Sequence, residues 1–223
     1  MESIFAHANR KKTLPAIFAI ALGVSLFFGG LTDARAGETK RVVFLGDSLT
    51  AGFGVERSEA FPALVAEKFH AAGLPFEVEN AGLSGDTSAG GLRRIDWLLQ
   101  RPIDVLVVEL GANDGLRGLD LKSMKANLQA IIDKAKAKNP AVKIVLAGMQ
   151  VPPNLGAEYA NGFQRVFNEL AHENDAVLIP FLLEGVGGQR ELNQADLIHP
   201  NPAGHRIIAD LVWRTLEPIL RKS

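Results

Sequence analysis

The stretch Asp104-Val105-Leu106-Val107-Val108-Glu109-Leu110 decides the fold class of this 223-residue chain. Its apolar residues follow one another without alternation, which is typical of a strand in a parallel sheet whose two faces are both covered by helices. Four more segments have the composition or the alternation of strands, at residues 42–45, 76–79, 142–147 and 176–179. We therefore expect a sheet of five mostly parallel strands.

Longer amphipathic segments separate these strands. The spacing of their apolar residues predicts helices over 60–72, 89–100, 121–138, 160–173 and 203–220. Regular alternation of strand and helix predicts an α/β fold, here a single-domain three-layer α/β/α sandwich around the sheet.

The composition excludes several classes of function. The formal net charge of −1 argues against nucleic acid as a partner, because binding phosphates requires an excess of basic residues. The absence of cysteine excludes a disulfide framework, a cysteine nucleophile and a thiolate metal site.

Residues 1–36 have the order of a secretory signal peptide. A positive cluster at residues 10–12 precedes an apolar run over 14–31, and Ala34-Arg35-Ala36 supplies the small residues that a signal peptidase reads. We expect cleavage after Ala36, a catalytic domain over 37–223 in the periplasm or outside the cell, and no stable membrane insertion. A retained anchor is the alternative, since the run approaches the length that spans a bilayer.

Polar turns follow three of the predicted strands. They are Gly46-Asp47-Ser48-Leu49, Leu83-Ser84-Gly85-Asp86 and Gly111-Ala112-Asn113-Asp114, and Asp196-Leu197-Ile198-His199 comes later. Ligands of such sheets bind beyond the carboxyl ends of the strands, so we expect these turns to form one site.

The residue types of these turns suit nucleophilic catalysis. Ser48 would be the nucleophile, His199 its base and Asp196 the acceptor that orients the base. Ser48 as a mere helix cap is the alternative, as are Asp196 and His199 capping the last helix. A metal site of Asp196, His199 and His205 is disfavoured because His205 falls inside a predicted helix, so we expect no metal and no cofactor.

Two further turn residues could stabilise an oxyanion. The side-chain amide of Asn113 and the backbone N–H of Gly85 are donors at the same sheet edge, beside the N–H of Ser48. Either residue could instead serve only its own turn: glycine by adopting a positive φ, asparagine by bonding its own backbone.

Taken together, these blocks resemble the SGNH, or GDSL, hydrolase family. Ser48, Gly85, Asn113 and His199 match the four positions that name the family, and Asp196 matches its Asp-x-x-His. The resemblance implies a flavodoxin-like fold, a catalytic triad of Ser48, Asp196 and His199, and an oxyanion hole of Ser48, Gly85 and Asn113. The neighbouring residues are similar to the exported thioesterase I, lysophospholipase and arylesterase group, with Ala112 where that group often has glycine.

The substrate pocket is predicted from the loops that flank this edge, residues 115–119 and 149–159. They supply an apolar wall that suits acyl or aryl groups, for which we single out Leu49, Leu116, Val151 and Pro153, with Leu119, Pro152, Leu155 and Tyr159 beside them. We expect a monomeric esterase that acts on small acyl esters and thioesters. A carbohydrate O-acetyl esterase and a non-catalytic acyl-binding protein are the alternatives.

Overall fold

The computed structural model describes residues 39–222, apart from the side chain of Pro153. The predicted signal peptide lies outside the described residues. The sheet consists of β1 (Lys40–Gly46), β2 (Phe76–Gly82), β3 (Val105–Glu109), β4 (Lys143–Ala147) and β5 (Val177–Ile179). All neighbouring strands are parallel, and their order across the sheet is β2-β1-β3-β4-β5. The predicted α/β sandwich with a five-stranded sheet is therefore confirmed.

The helices cover the sheet in two groups. They are α1 (Ser48–Ala51), α2 (Phe61–Ala71), α3 (Ser88–Leu98), α4 (Ala112–Leu116), α5 (Leu121–Lys138), α6 (Ala157–Asn174) and α7 (Pro202–Leu220). Helix α2 packs with α7, whereas α5 packs with both α3 and α6. Two short 3₁₀ helices span Pro153–Leu155 and Arg190–Leu192. Within residues 39–222, no helix has the length and apolar character needed to cross a bilayer.

The core is built on the two central strands. The side chains of Val42 through Leu45 are fully buried, and those of Val105 through Val108 are buried to within 1% of their surface. Burying each such side chain stabilises the fold by about 1.5–3 kcal/mol. Phe44 of β1 meets Phe61 of α2 edge to face, with ring centroids 5.6 Å apart. This packing makes β1 and β3 a rigid base for the turns that follow them.

The strand order creates a cleft at the end of β1. From β1 the chain first goes to β2 on one side, and it later returns to place β3 on the other side. The turns after these strands diverge at such a switch point and leave room for a ligand. Helices α1 and α4, which follow β1 and β3 directly, border this cleft.

The structure corrects two boundaries that matter for the site. Helix α6 begins at Ala157, three residues earlier than expected, so Tyr159 lies in a helix and not in a loop. Likewise, part of the expected loop over 115–119 belongs to helix α4.

Candidate active site

Ser48 is the first residue of α1, and Asp47 caps this helix. The Asp47 side chain accepts a hydrogen bond from the N–H of Leu49 at 3.1 Å, and Gly52 ends the helix with a φ of 73°. Gly46 has no room for a side chain, because a Cβ there would lie 2.0 Å from Thr50 Oγ1. The tight turn therefore needs glycine, and the cap is Asp47, which leaves the hydroxyl of Ser48 available.

The structure joins the side chains of Ser48, His199 and Asp196 in a chain of two hydrogen-bond contacts. His199 Nε2 lies 2.9 Å from Ser48 Oγ, and His199 Nδ1 lies 2.7 Å from Asp196 Oδ2. When Nδ1 carries the ring proton and donates it to Asp196, Nε2 can accept the proton of the Ser48 hydroxyl. The three groups thus have the geometry of a nucleophile, a base and an orienting acid.

Asp196 is held in a turn of its own. Its Oδ1 accepts the backbone N–H groups of Ile198 and His199 at 2.9 and 3.0 Å. These bonds, first among them that from the His199 N–H, lower the pKa of Asp196 to about 2, so the carboxylate stays ionised. The alternative role as a cap of α7 is wrong, because Asn201 accepts the first N–H groups of that helix.

Two residues that hold His199 in place, Phe53 and Gln194, were not predicted from the sequence. The ring of Phe53 packs on the imidazole with centroids 4.6 Å apart. Gln194 donates its backbone N–H to the carbonyl of His199 at 2.8 Å and its side-chain amide to the carbonyl of Phe53 at 2.6 Å. Gln194 therefore ties the loop of the base to the loop that follows the nucleophile.

Two of the predicted oxyanion donors are not used within the fold. The N–H groups of Ser48 and Gly85 have no acceptor among residues 39–222. Gly85 has a φ of 80°, which explains the need for glycine, and its carbonyl accepts from Arg117 at 3.0 Å. Free N–H groups beside a nucleophile are what an oxyanion hole requires.

The side-chain amide of Asn113, the third predicted donor, already donates hydrogen bonds within the protein. Its Nδ2 donates to Asp47 Oδ2 at 3.0 Å and to the carbonyl of Asp86 at 2.9 Å. A side-chain amide has two hydrogens, so both are in use here. The structure places Asn113 next to the nucleophile turn, but donation to a substrate would require it to share or give up one of these bonds.

A buried carboxyl pair lies beneath the nucleophile turn. Glu109, the last residue of β3, accepts hydrogen bonds at Oε2 from the N–H groups of Asp47 and Thr50 and from the Thr50 hydroxyl. Burial raises the pKa of Asp47 to about 6, and burial together with the charge of Asp47 raises the pKa of Glu109 well above its usual value. Sequence reasoning missed this pair; a charged residue inside an apolar strand was the available signal.

A cavity of about 440 Å³ opens beside Ser48 and His199. Of the predicted wall residues, Leu49, Leu116, Val151 and Pro152 line it, and the side chain of Pro153 lies outside the described residues. Tyr159 is directed elsewhere, since its hydroxyl donates to the carbonyl of Leu119 at 2.8 Å. The rest of the apolar wall includes Met149 from the predicted loop, Leu197 and Ile198 from the turn of the base, and Phe181 and Leu183, which sequence reasoning did not assign to the pocket.

His205 has a structural role inside α7. It is buried, its Nδ1 accepts the N–H of Phe61 at 3.3 Å, and burial lowers its pKa to about 4. Among residues 39–222, no group of three or more His, Cys, Asp or Glu side chains is arranged to hold a metal ion.

Comparison with known proteins gives a consistent picture. Residues 44–207 match the model of the GDSL-like Lipase/Acylhydrolase family. Esterase TesA of Pseudomonas aeruginosa is 43% identical over 191 residues, covering 85% of this chain and 93% of that protein. Thioesterase 1/protease 1/lysophospholipase L1 of Escherichia coli K12 is 37% identical, with coverages of 85% and 89%. The arylesterase of Vibrio mimicus is 35% identical, with coverages of 87% and 96%.

Solved structures agree in fold. The crystal structure of a TesA superposes with a TM-score of 0.77 at 40% identity, covering 81% of this chain and 99% of that one. The psychrotrophic esterase EstA from Pseudoalteromonas sp., inhibited by monoethylphosphonate, gives the same TM-score at 34% identity, covering 82% and 99%.

Proposed function

The chain belongs to the GDSL-like Lipase/Acylhydrolase family and is a carboxylic ester hydrolase, and from this we propose that Ser48, His199 and Asp196 carry out its reaction. The observation that carries the proposal is the 2.9 Å contact between His199 Nε2 and Ser48 Oγ, together with the backbone N–H of Ser48, which has no acceptor in residues 39–222.

Acylation begins when Ser48 Oγ attacks the carbonyl carbon of the ester as His199 Nε2 takes its proton. The oxyanion that forms accepts the N–H groups of Ser48 and Gly85, with Asn113 as a third donor. His199 then protonates the leaving alcohol or thiol, which departs and leaves an acyl group on Ser48. Water, activated by the same imidazole, hydrolyses this acyl-enzyme and restores the free hydroxyl.

Asp196 fixes the base and stabilises its charge. The negative carboxylate holds Nδ1–H, so the lone pair of Nε2 faces Ser48, and it lowers the energy of the imidazolium that forms during each proton transfer. Its two backbone hydrogen bonds keep this carboxylate in place without help from a cation. No metal ion or organic cofactor enters these steps.

The substrates that the cavity suits are fatty acyl or aryl esters and thioesters, including acyl-CoA and lysophospholipids. Apolar side chains, among them leucines, a valine and a phenylalanine, make most of the cavity wall, which favours an apolar acyl group over a sugar. The names of the relatives, an esterase, a thioesterase/lysophospholipase and an arylesterase, support the same range. Nothing in the cavity specifically favours an acetylated carbohydrate.

We further propose that the enzyme works as a monomer after export to the periplasm or the medium. The basis for export is the order of charged, apolar and small residues over 1–36. Amino-terminal sequencing of the exported protein should begin at Gly37, and light scattering should give the mass of one chain. A first residue within the apolar run would contradict cleavage after Ala36.

The test of the catalytic proposal uses a fluorophosphonate and p-nitrophenyl esters of increasing chain length. We expect one covalent adduct on Ser48, and we expect Ser48→Ala to abolish both the adduct and hydrolysis while the protein stays folded. Ser123→Ala, which removes an exposed hydroxyl bonded to Asp120, is the matched control and should keep both. Near-normal turnover by Ser48→Ala would exclude this mechanism.

A further inference from the structure

The two carboxyl groups beneath Ser48 occupy an unusual environment. Glu109 is fully buried and Asp47 is 1% exposed, yet neither forms an ion pair with a lysine or arginine among residues 39–222. The backbone N–H of Asp47 donates to Glu109 Oε2 at 3.2 Å, so the two residues are in contact, and the charge of Asp47 raises the pKa of Glu109. Two buried carboxylates in contact cannot both be ionised at moderate cost, so the pair is expected to share one proton.

The hydrogen bonds indicate which group holds that proton. Asp47 accepts from two donors, the N–H of Leu49 at Oδ1 and the amide of Asn113 at Oδ2. Glu109 accepts three hydrogen bonds at Oε2, whereas its buried Oε1 accepts from no donor. A proton on Glu109, donated to Asp47, would remove this unsatisfied acceptor.

The charged groups around the pair favour the same arrangement. The imidazole of His199 interacts electrostatically with Asp47, so a negative charge on Asp47 also stabilises the imidazolium. The guanidinium of Arg94 lies beyond the turn, where it binds the carboxylate of Asp86 and the carbonyl of Gly46. Neither the imidazole of His199 nor the guanidinium of Arg94 has a hydrogen bond with Glu109.

We propose that Glu109 is a positioning residue: as a neutral carboxylic acid it donates a hydrogen bond to Asp47, and the pair aligns the oxyanion donors of Ser48 and Asn113. The proposal rests on the proposed role of Ser48 as nucleophile.

The pair acts on Ser48 by occupying the neighbouring donors of α1. Glu109 takes the N–H groups of Asp47 and Thr50, and Asp47 takes that of Leu49. The N–H of Ser48 is the one left for the substrate, and the one-turn helix is fixed at the bottom of the cleft. A helix of only four residues has little stability of its own and depends on such contacts.

The pair acts on Asn113 through Asp47 Oδ2. That oxygen lies 3.0 Å from Nδ2 and, with the carbonyl of Asp86, fixes the plane of the amide. Because Glu109 donates to Asp47, this hydrogen bond already stabilises part of the negative charge on the Asp47 carboxylate. Asn113 can then share a hydrogen with the oxyanion of the transition state at lower cost.

The experiment compares Glu109→Ala with Glu109→Gln. Glutamine reproduces a neutral acid, since its amide can donate to Asp47 and its carbonyl can accept the three bonds at Oε2. We expect Glu109→Ala to lower kcat by roughly 10²-fold with little change in KM, because donors are displaced that act mainly in the transition state. Glu109→Gln should restore most of this loss.

A spectroscopic measurement tests the protonation state without reference to activity. Infrared spectra of the wild-type enzyme at neutral pH should contain the carbonyl band of a buried carboxylic acid, and Glu109→Gln should remove it. Glu79→Gln is the matched control, because Glu79 forms an ion pair with Arg41 and the band should persist. This measurement and Glu109→Gln decide the question even if Glu109→Ala does not fold.

Two results would overturn the proposal. One is a Glu109→Gln enzyme that is folded and labelled by fluorophosphonate but as slow as Glu109→Ala, which would mean that a negative charge at 109 is required. The other is an infrared spectrum in which Glu109→Gln removes no acid band. Failure of the catalytic proposal itself is separate, since it would appear as turnover by Ser48→Ala.

Discussion

Replacing Asp196 by asparagine separates its two roles, which are to hold the loop in shape and to accept the Nδ1 proton of His199. The Oδ1 of the new amide can still accept the N–H groups of Ile198 and His199, which lie 2.9 and 3.0 Å from it in the wild type. The loop should therefore keep its shape. Since Oδ1 is fixed in this way, the amide nitrogen must face His199 Nδ1, where it can only donate. The ring is then forced to carry its proton on Nε2, the atom that must accept from Ser48.

The expected loss of kcat for Asp196→Asn lies between about 10²-fold and 10⁴-fold. The upper value is that of the corresponding change in a serine protease, ~10⁴, where the acid is buried. The lower value is the smallest usual contribution of a general base, ~10². Asp196 has 38% of its side chain exposed, so water competes for Nδ1 and the loss should fall below the upper value. Asp196→Ala should lose less than Asp196→Asn, because water can accept the Nδ1 proton.

The assay is single-turnover and steady-state hydrolysis of a p-nitrophenyl ester, with melting temperatures measured in parallel. We expect equal melting temperatures for the wild type and Asp196→Asn and a lower one for Asp196→Ala, which loses both loop bonds. A kcat for Asp196→Asn within a few-fold of wild type would refute the argument. So would an alanine variant that is much slower than the asparagine variant, since the role of Asp196 would then be to shape the loop.

Three further predictions concern other groups. Asn113→Ala should lower kcat by about 10²–10³-fold with a smaller effect on KM. It should also lower the melting temperature, because Asp47 and Asp86 each lose a donor. Asn113→Asp should be at least as damaging, and a loss of stability with normal kcat would remove Asn113 from the site. His205 should make the fold acid-sensitive, because folding lowers its pKa from 6.5 to about 4. As the pH falls from 6.5, only the unfolded chain takes up this proton. The free energy of unfolding should therefore decrease by on the order of 3 kcal/mol by pH 4. Chemical denaturation across that range should show a weaker dependence for His205→Asn, and an equal dependence would contradict the assignment. Incubation with EDTA should leave hydrolysis unchanged, whereas loss of activity that zinc restores would revive the metal site.

The fold was largely predictable because its determinants are local. The uninterrupted apolar run of β3 and the alternation of strands and helices identify a parallel sheet from the residues alone. Helix α4 was not predicted, and α1 was expected only as a helix or turn that opens at Ser48, because four or five residues do not complete enough turns to show a helical period. Both begin immediately after a central strand, so the error falls at the site and not in the core.

The candidate site was predictable only for residues whose reactive side chain stands at a telling place in the sequence, such as a strand end or a short motif. Ser48 at a strand end and His199 three residues after Asp196 carry a signal in their spacing. Glu109 carried none beyond its charge, because its role depends on β1 and β3 being neighbours, which brings it under Asp47. The cavity wall from Phe181 and Leu183 likewise exists only through contacts between segments that are distant in the chain.

The distance along the chain between Ser48 and His199 has a consequence for biosynthesis. The two residues are separated by 151 positions, and the base is followed at once by α7, the last helix, which packs on α2 near the start of the described chain. A nascent polypeptide therefore carries its nucleophile long before it possesses a base. The proposed mechanism can therefore operate only after the segment that carries His199 has been synthesised and has packed against the rest of the domain.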